Sequence, residues 1–294
     1  VGKTKMGVAL AKKFNGEVIS GDSMQIYKQM DIGTAKVTEE EKEGIIHHCV
    51  DILNPDETYS VHDFQQTVRK KITEITQRGH VPIIVGGTGL YIKAALYDYQ
   101  FDEMENDHHA INEKYKDYTN EQLHDHLKSI DEESAKILHF NNRRRVLRAI
   151  EIYETTGKRK SEMLEEQEHI CLYDAYFVGL TLPRDVLYER INKRVDVMME
   201  NGLKEEMDCL YSQGLTRNHQ SMKAIGYKEW FDYYDHQIDL NDVLELIKKH
   251  SRQYAKRQYT WFKNQFDVHW YDVNLENFEQ TIEQVTDDIE KILK

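Results

Sequence analysis

The chain reads as an α/β protein, a parallel sheet flanked by helices and interrupted by a helical insertion domain. Three observations predict this. A Gly-Lys-Thr triplet opens an amphipathic helix at the start of the sequence, and short apolar runs such as EVIS (17–20) and VPIIV (81–85) then alternate with helix-length segments. Between 104 and 169 the alternation gives way to charged helical segments without a convincing strand. The expected core is therefore discontinuous, 1–103 and 170–294, around an insertion at 104–169.

Gly2, Lys3 and Thr4 match the final GK[ST] of a P-loop, so the core is expected to be P-loop NTPase-like. In that motif backbone N–H groups and the helix N-terminus cradle a diphosphate, lysine neutralises it and threonine binds Mg2+. Val1 and Gly2 would line the same cradle, and a start at Val1 within the motif implies that its first glycine lies upstream. Asn15 and Gly16 end the first helix. EVIS runs straight into Gly21, Asp22 and Ser23, placing them at a strand's C-terminal end, where open α/β sheets put their ligands. A lone aspartate there also serves simply as a helix cap.

Ser60 and Asp63 form a capping-box start for a helix ending near Gly79, and VPIIV is a continuous apolar run suited to a buried parallel strand. GGTGLY (86–91) opens the next helix; Gly86, Gly87 and Gly89 either allow close approach of a ligand, with Thr88 pointing into that space, or form a tight turn. NEQLHDHLKSI, DEESAKIL and RRRVLRAIEIYETTG supply the insertion helices. DAYFVGLTL restores a strand, Pro183 starts a helix that stops at Gly202, and a long helix over 242–264 precedes a last strand, FDVHWYDV.

The longest apolar runs are far below the roughly 20 residues of a membrane-spanning helix, so no membrane association is expected. Three widely spaced cysteines, Cys49, Cys171 and Cys209, argue against a disulfide framework or a zinc site and fit a reducing cytoplasm. His47 and His48 are adjacent and would fall on different faces of a helix, which is poor geometry for joint metal ligation. The net charge of −13 disfavours a nucleic-acid partner by itself, but bases cluster at 143–148, 184–194 and 248–263. Arg143, Arg144 and Arg145 oppose the dipole of the helix they open, so stability does not explain them. Arg144, Arg145 and Arg148 share one helical face, which suits phosphates or a solvated surface. Arg190 and Arg194 lie a turn apart, suited to a diphosphate or an RNA backbone. Around Arg252, Lys256 and Arg257 the aromatics Tyr254, Tyr259 and Trp261 are spaced for RNA stacking or for core packing.

The run GDSMQIYKQMDIGTAK (21–36) resembles a signature of the tRNA dimethylallyltransferases, and the resemblance continues through HHCVDILNPDETYSVHDF, GGTGLY, NNRRRVLRAIEIY, PRDVLYERINKRVDVMMENGLKEE, MKAIGYKEW and RQYAKRQYTWFK, nearly the whole chain. It implies transfer of a dimethylallyl group from dimethylallyl diphosphate to the exocyclic amine of the adenosine 3′ of the anticodon, with Mg2+ as cofactor and the tRNA anticodon stem-loop as partner. The resemblance makes Asp22 the general base, while Lys3 and Mg2+ held by Thr4 would stabilise the departing diphosphate, with Arg194 a further candidate for it. Ser23, Met24 and Gln25 would touch the substrate nucleotide, while Thr88, the Arg144–Arg145–Arg148 face, Lys223, Gly226 and Tyr227 would contact tRNA, Tyr227 by offering a ring for stacking. The adenine is expected to flip out of its stack to reach the pocket. A short apolar strand ending in GPTA is expected before Val1, and a monomer is expected because no dimer seam is apparent.

Three other readings remain at this point: an adenylate isopentenyltransferase, which alkylates a free nucleotide; a small-molecule P-loop kinase; and an RNA-binding module without activity.

Overall fold

The computed structural model describes residues 2–99, 108–165 and 169–293. The chain divides into two compact units, Val1–Leu96 with Tyr173–Lys294, and Tyr97–Leu172. The first unit begins with α1 (Lys3–Lys13), β1 (Gly16–Gly21), α2 (Glu39–Lys42), β2 (His47–His48), α3 (Val61–Gln77), β3 (Val81–Gly86) and α4 (Gly89–Leu96). The second contains α5 (His108–Lys114), α6 (Asn120–Ile130), α7 (Glu132–Ile137), α8 (Arg143–Thr156) and α9 (Lys160–Glu165). The first unit resumes with β4 (Phe177–Thr181), α10 (Arg184–Glu200), α11 (Leu203–Ser212), α12 (Trp230–Tyr234), α13 (Leu240–Gln265), β5 (Val268–Asp272) and α14 (Phe278–Ile292).

The local signals act where the sequence places them. Ser60 accepts the Asp63 backbone N–H and Asp63 returns a bond to the Ser60 N–H, a closed capping box that starts α3. α1 ends at Lys13, followed by Asn15 in the left-handed region at φ 51°. Residues 47–48 form a strand and not a helix: Val18 and Ile19 pair in parallel with His47 and His48, because the sheet ladder satisfies their backbone. β1 lies between β2 and β3, all parallel. β4 and β5 form a second parallel pair, so the strands belong to two sheets of three and two. β3 and β4 both turn residues toward one apolar cavity of about 510 Å³, lined among others by Met6, Leu10, Ile83, Val85, Val178 and Leu180.

Met6 and Leu10 of α1 bury themselves with Tyr271 and Val285, which ties α1 to β5 and α14 and fixes the helix whose N-terminus carries Lys3. At about 25 cal/mol per Å² of buried apolar area, side chains of this size each contribute roughly 1.5–3 kcal/mol. The second unit has a core of its own. Leu123 and Leu127, one turn apart on α6, meet Val146, Leu147 and Ile150 of α8, with Ile111 and Tyr115 against them. Among the described residues no helix is long and apolar enough to cross a membrane, and all three cysteines are free thiols.

Candidate active site

Two turns at the C-terminal edge of the first sheet bring the predicted residues together. β1 ends at Gly21, and the chain bends sharply over Asp22: the Asp22 Oδ1 accepts the Met24 N–H at 2.9 Å, while the Asp22 N–H reaches the Ser20 hydroxyl at 3.4 Å. One carboxylate oxygen is thus committed to an Asx turn, and Oδ2 has no hydrogen-bond partner among the described residues. From the neighbouring strand, the Thr88 N–H donates to Gly21 O at 3.2 Å. Thr88 Oγ1 accepts the Ser23 N–H at 3.1 Å and donates to Ser23 Oγ at 3.3 Å. Thr88 therefore clips the loop after β1 onto the loop after β3.

Gly2 stands at φ 70° immediately before α1, so the turn into the helix needs a left-handed backbone that glycine adopts without strain. Lys3 and Thr4 follow in the first turn, where unpaired N–H groups and the helix dipole favour an anion. No acidic residue occupies that first turn. Lys3 keeps accessible surface yet is crowded by protein. Desolvation is the largest influence and lowers its pKa, the Asp22 carboxylate raises it, and the Arg194 guanidinium lowers it again. Arg194, from α10, is likewise lowered chiefly by desolvation, with Glu41 opposing and Arg190 adding to the effect. Lys3 on α1 thus lies within electrostatic reach both of Asp22 after β1 and of Arg194 on α10. Of the two arginines a turn apart, Arg194 is the one that acts on Lys3. Val1 lies outside the described residues.

α13 closes the other side. Gln258 Nε2 donates to Gly87 O at 2.8 Å and the Tyr254 hydroxyl reaches the same oxygen at 3.4 Å. Burial, then the Asp22 charge, raises the Tyr254 phenol above its ordinary range, so Tyr254 stays a neutral donor beside the carboxylate. This bears on two readings that the sequence leaves open. The close approach permitted by Gly87 and Gly89 is made by Gln258 and Trp261, whose side chains fill the space a Cβ would need, and Gly86 lies flat against the Gly21 backbone. Two aromatics of α13, Tyr254 and Trp261, pack on the glycine turn, while Tyr259 stays exposed with its ring 4.8 Å from that of Trp270 between centroids. Gln258 is a candidate site residue that the sequence pattern did not single out, whereas Tyr254 was named there with stacking and core packing both open.

Gly226 takes φ 99° as the turn it permits requires, and Lys223 is exposed. Tyr227 is fully buried, so it has no face to offer a base; its hydroxyl donates to Glu206 Oε1 at 2.6 Å. In the second unit, Arg143 is a strut and not a free cation. Its guanidinium donates to the carbonyls of Tyr118 and Tyr115, each at 2.7 Å, which gives stability the role the sequence withheld. Arg144 and Arg145 are exposed without an acidic partner among the described residues, whereas Arg148 pairs with Glu151 at 2.8 Å. Lys160 lies near them, its pKa lowered first by desolvation and then by Arg145 and Arg148. Among the described residues no cluster of His, Cys, Asp and Glu could hold a metal ion.

A helix N-terminus with a lysine and an arginine, set beside a half-free carboxylate on an α/β core, defines a protein that handles a phosphorylated substrate next to a proton acceptor. Comparison with known proteins narrows this. A family model described as IPP transferase matches residues 25–265. The chain is 54% identical over 276 residues to the tRNA dimethylallyltransferase of Bacillus cereus strain AH187, covering 93% of this chain and 87% of that protein. It superposes on the tRNA delta(2)-isopentenylpyrophosphate transferase of Staphylococcus epidermidis with TM-score 0.73 and 48% identity, over 99% of this chain and 95% of the other. A eukaryotic dimethylallyltransferase acting on tRNA matches with TM-score 0.84 and 32% identity over 97% of this chain and 74% of the other. The chain belongs to the IPP transferase family, and its α/β core is of the P-loop NTPase-like kind.

Proposed function

We propose that the protein is a tRNA dimethylallyltransferase: it transfers the dimethylallyl group of dimethylallyl diphosphate to the exocyclic amine of the adenosine 3′ of the anticodon and releases diphosphate. The observation that carries the site reading is an Asp22 with one carboxylate oxygen unpartnered among the described residues, within electrostatic reach of Lys3 at the start of α1, in a chain of this family. The amine lone pair forms the new C–N bond as the allylic C–O bond breaks, its electron pair leaving on the diphosphate. The free Oδ2 of Asp22 takes the amine proton, the role of a general base. Lys3, Arg194 and the α1 N–H groups stabilise the negative charge that grows on the leaving group. Ser23, Met24 and Gln25 face the acceptor nucleotide, and Thr88 holds their loop in place.

The residues present suit Mg2+, which keeps several waters and takes one or two protein ligands alongside substrate phosphates. Thr4 would hold the ion, and the absence of a dense ligand cluster among the described residues fits that mode. When bound, Mg2+ supplies charge neutralisation to the diphosphate. Arg144, Arg145 and Arg148 on α8 would meet the phosphates of the anticodon stem-loop, and exposed Lys223 adds a cation on the first unit. A flipped adenine brings the amine to Asp22. The protein would work as a cytoplasmic monomer.

The test incubates the protein with labelled dimethylallyl diphosphate, Mg2+ and either tRNA or AMP. Label is expected in tRNA at the base beside the anticodon. Label in AMP alone, or in neither, overturns the reading.

A further inference from the structure

We infer that Glu206 is a positioning residue for the acceptor side of the site, acting through the backbone of residues 31–33 and the amide of Gln25. Glu206 lies on α11, twelve residues beyond Arg194 at the end of the run 183–206, and takes no part in the proposed chemistry itself. Its Oε2 accepts the N–H groups of Asp31 and Ile32 at 2.8 and 2.7 Å, and its Oε1 accepts the N–H of Gly33 at 3.1 Å and the Tyr227 hydroxyl at 2.6 Å. Three consecutive N–H groups aimed at one point form an anion-binding nest. Here the anion is the protein's own carboxylate. Gly33 makes the geometry possible, because a Cβ there would stand 2.6 Å from the Tyr227 ring. Burial and the Glu206 charge raise the Tyr227 phenol well above its ordinary value, so the hydroxyl remains a donor.

The far side of the same turn reaches the site. Gln25 Nε2 donates to Thr34 O at 3.4 Å and Ala35 O at 3.2 Å, and Gln25 Oε1 accepts the Ser20 hydroxyl at 3.2 Å. Ser20 Oγ in turn accepts the Asp22 N–H at 3.4 Å. One continuous run of hydrogen bonds therefore leads from α11 through the 31–35 turn and the Gln25 amide to the backbone of Asp22. An amide side chain has two nearly isosteric orientations, and it is the pair of carbonyls at 34 and 35 that selects one of them. Releasing the turn from Glu206 frees the Gln25 amide to rotate and loosens one end of the 22–25 segment, while the Lys3–Arg194 side keeps its own supports.

The inference rests on the reading of 22–25 as the acceptor side. Glu206→Ala and Glu206→Gln are compared with Glu17→Gln, which destabilises the opposite end of β1, in the full chain with tRNA, dimethylallyl diphosphate and Mg2+. Glu206→Ala is expected to lower kcat about 10- to 100-fold while KM for dimethylallyl diphosphate stays within about twofold, with Glu206→Gln intermediate. Glu17→Gln is expected to lower the melting temperature without lowering kcat. Amide hydrogen exchange at 31–33 is expected to accelerate by about tenfold or more in Glu206→Ala, independently of any transfer. A kcat within about twofold of the parent, a parallel loss in the donor KM, or unchanged exchange at 31–33 overturns the inference. Should Glu206→Ala not fold, Glu206→Gln and Tyr227→Phe are judged by the same criteria. A parent protein that modifies no tRNA overturns the function, and the exchange comparison then decides the clamp.

Discussion

Glu17, at the start of β1, and Asp22, just past its end, carry the same functional group in opposite conditions. Glu17 is buried and its two oxygens are saturated: Arg78 donates at 3.1 and 2.7 Å, His48 bonds at 2.6 Å and His80 at 2.7 Å. Burial alone would raise its pKa, but these hydrogen bonds together outweigh it and push the carboxyl down to about 2. Asp22 has one oxygen in a turn and the other without a hydrogen-bond partner among the described residues, and its charge acts on Lys3. A carboxylate with every lone pair occupied can hold a strand in place, and one with a lone pair to spare can take a proton. Both sit where a parallel strand places its ends, so the strand separates a saturated acid from the one proposed to act as base.

Asp22→Ala is the most severe attempt on that contrast. Single-turnover transfer is expected to fall about 10²- to 10⁴-fold with tRNA affinity held within about threefold; a loss under about tenfold would place the base elsewhere. Next, Lys3→Met should cost about 10²- to 10³-fold in kcat by removing a stabiliser of the leaving group, measured against an unchanged tRNA Kd.

The same contrast recurs on α8, where Arg143 is engaged and Arg144 and Arg145 are not. Replacing Arg144, Arg145 and Arg148 by alanine should weaken tRNA binding and flatten the slope of log K against log salt by about 2 to 3, as read from filter binding. Arg143→Ala should leave that slope alone and cost about 1–3 kcal/mol of stability, seen in urea unfolding.

Glu17→Gln sharpens the comparison from the other side. It should lower the unfolding free energy by about 2–3 kcal/mol near neutral pH with activity per folded molecule intact. Because the folded pKa is depressed from the ordinary 4.5 to about 2, the contribution is fully present above 4.5 and is lost as pH falls toward 2. The parent-minus-variant difference should thus be flat down to about pH 5 and shrink below it, as denaturation at stepped pH would read. A difference that persists undiminished in acid would remove Glu17's charge from the account.

Much of this was legible in the residues. Ser60 with Asp63, Asn15 with Gly16, and the apolar run VPIIV announce α3, the end of α1 and β3 because each is a local signal read within a few residues. The place of Asp22 just past a strand's end was legible for the same reason. The misreadings share a cause as well. Tyr227, Arg143, Gly87 and Gly89 each have a chemistry that suits a ligand, and each is claimed by a protein partner distant in sequence: Glu206, the carbonyls before α6, Gln258 and Trp261. Glu206 ends the run 183–206 that carries the resemblance, but its role gave no signal, since a glutamate in a charged helix looks like any solvated face.

By itself the sequence determined the order of the elements, the caps that start and stop them, and the short motifs that hold Lys3, Thr4 and Asp22, because hydrophobic period and capping chemistry act over neighbouring residues. Only the tertiary structure decided which polar groups are spent and which remain available: that Arg194 comes within electrostatic reach of Lys3, that Glu206 holds the 31–33 turn, and that Glu17 is saturated while Asp22 is not. Hydrogen-bond capacity is finite and is consumed by whatever packs closest in space, a quantity that no linear spacing encodes.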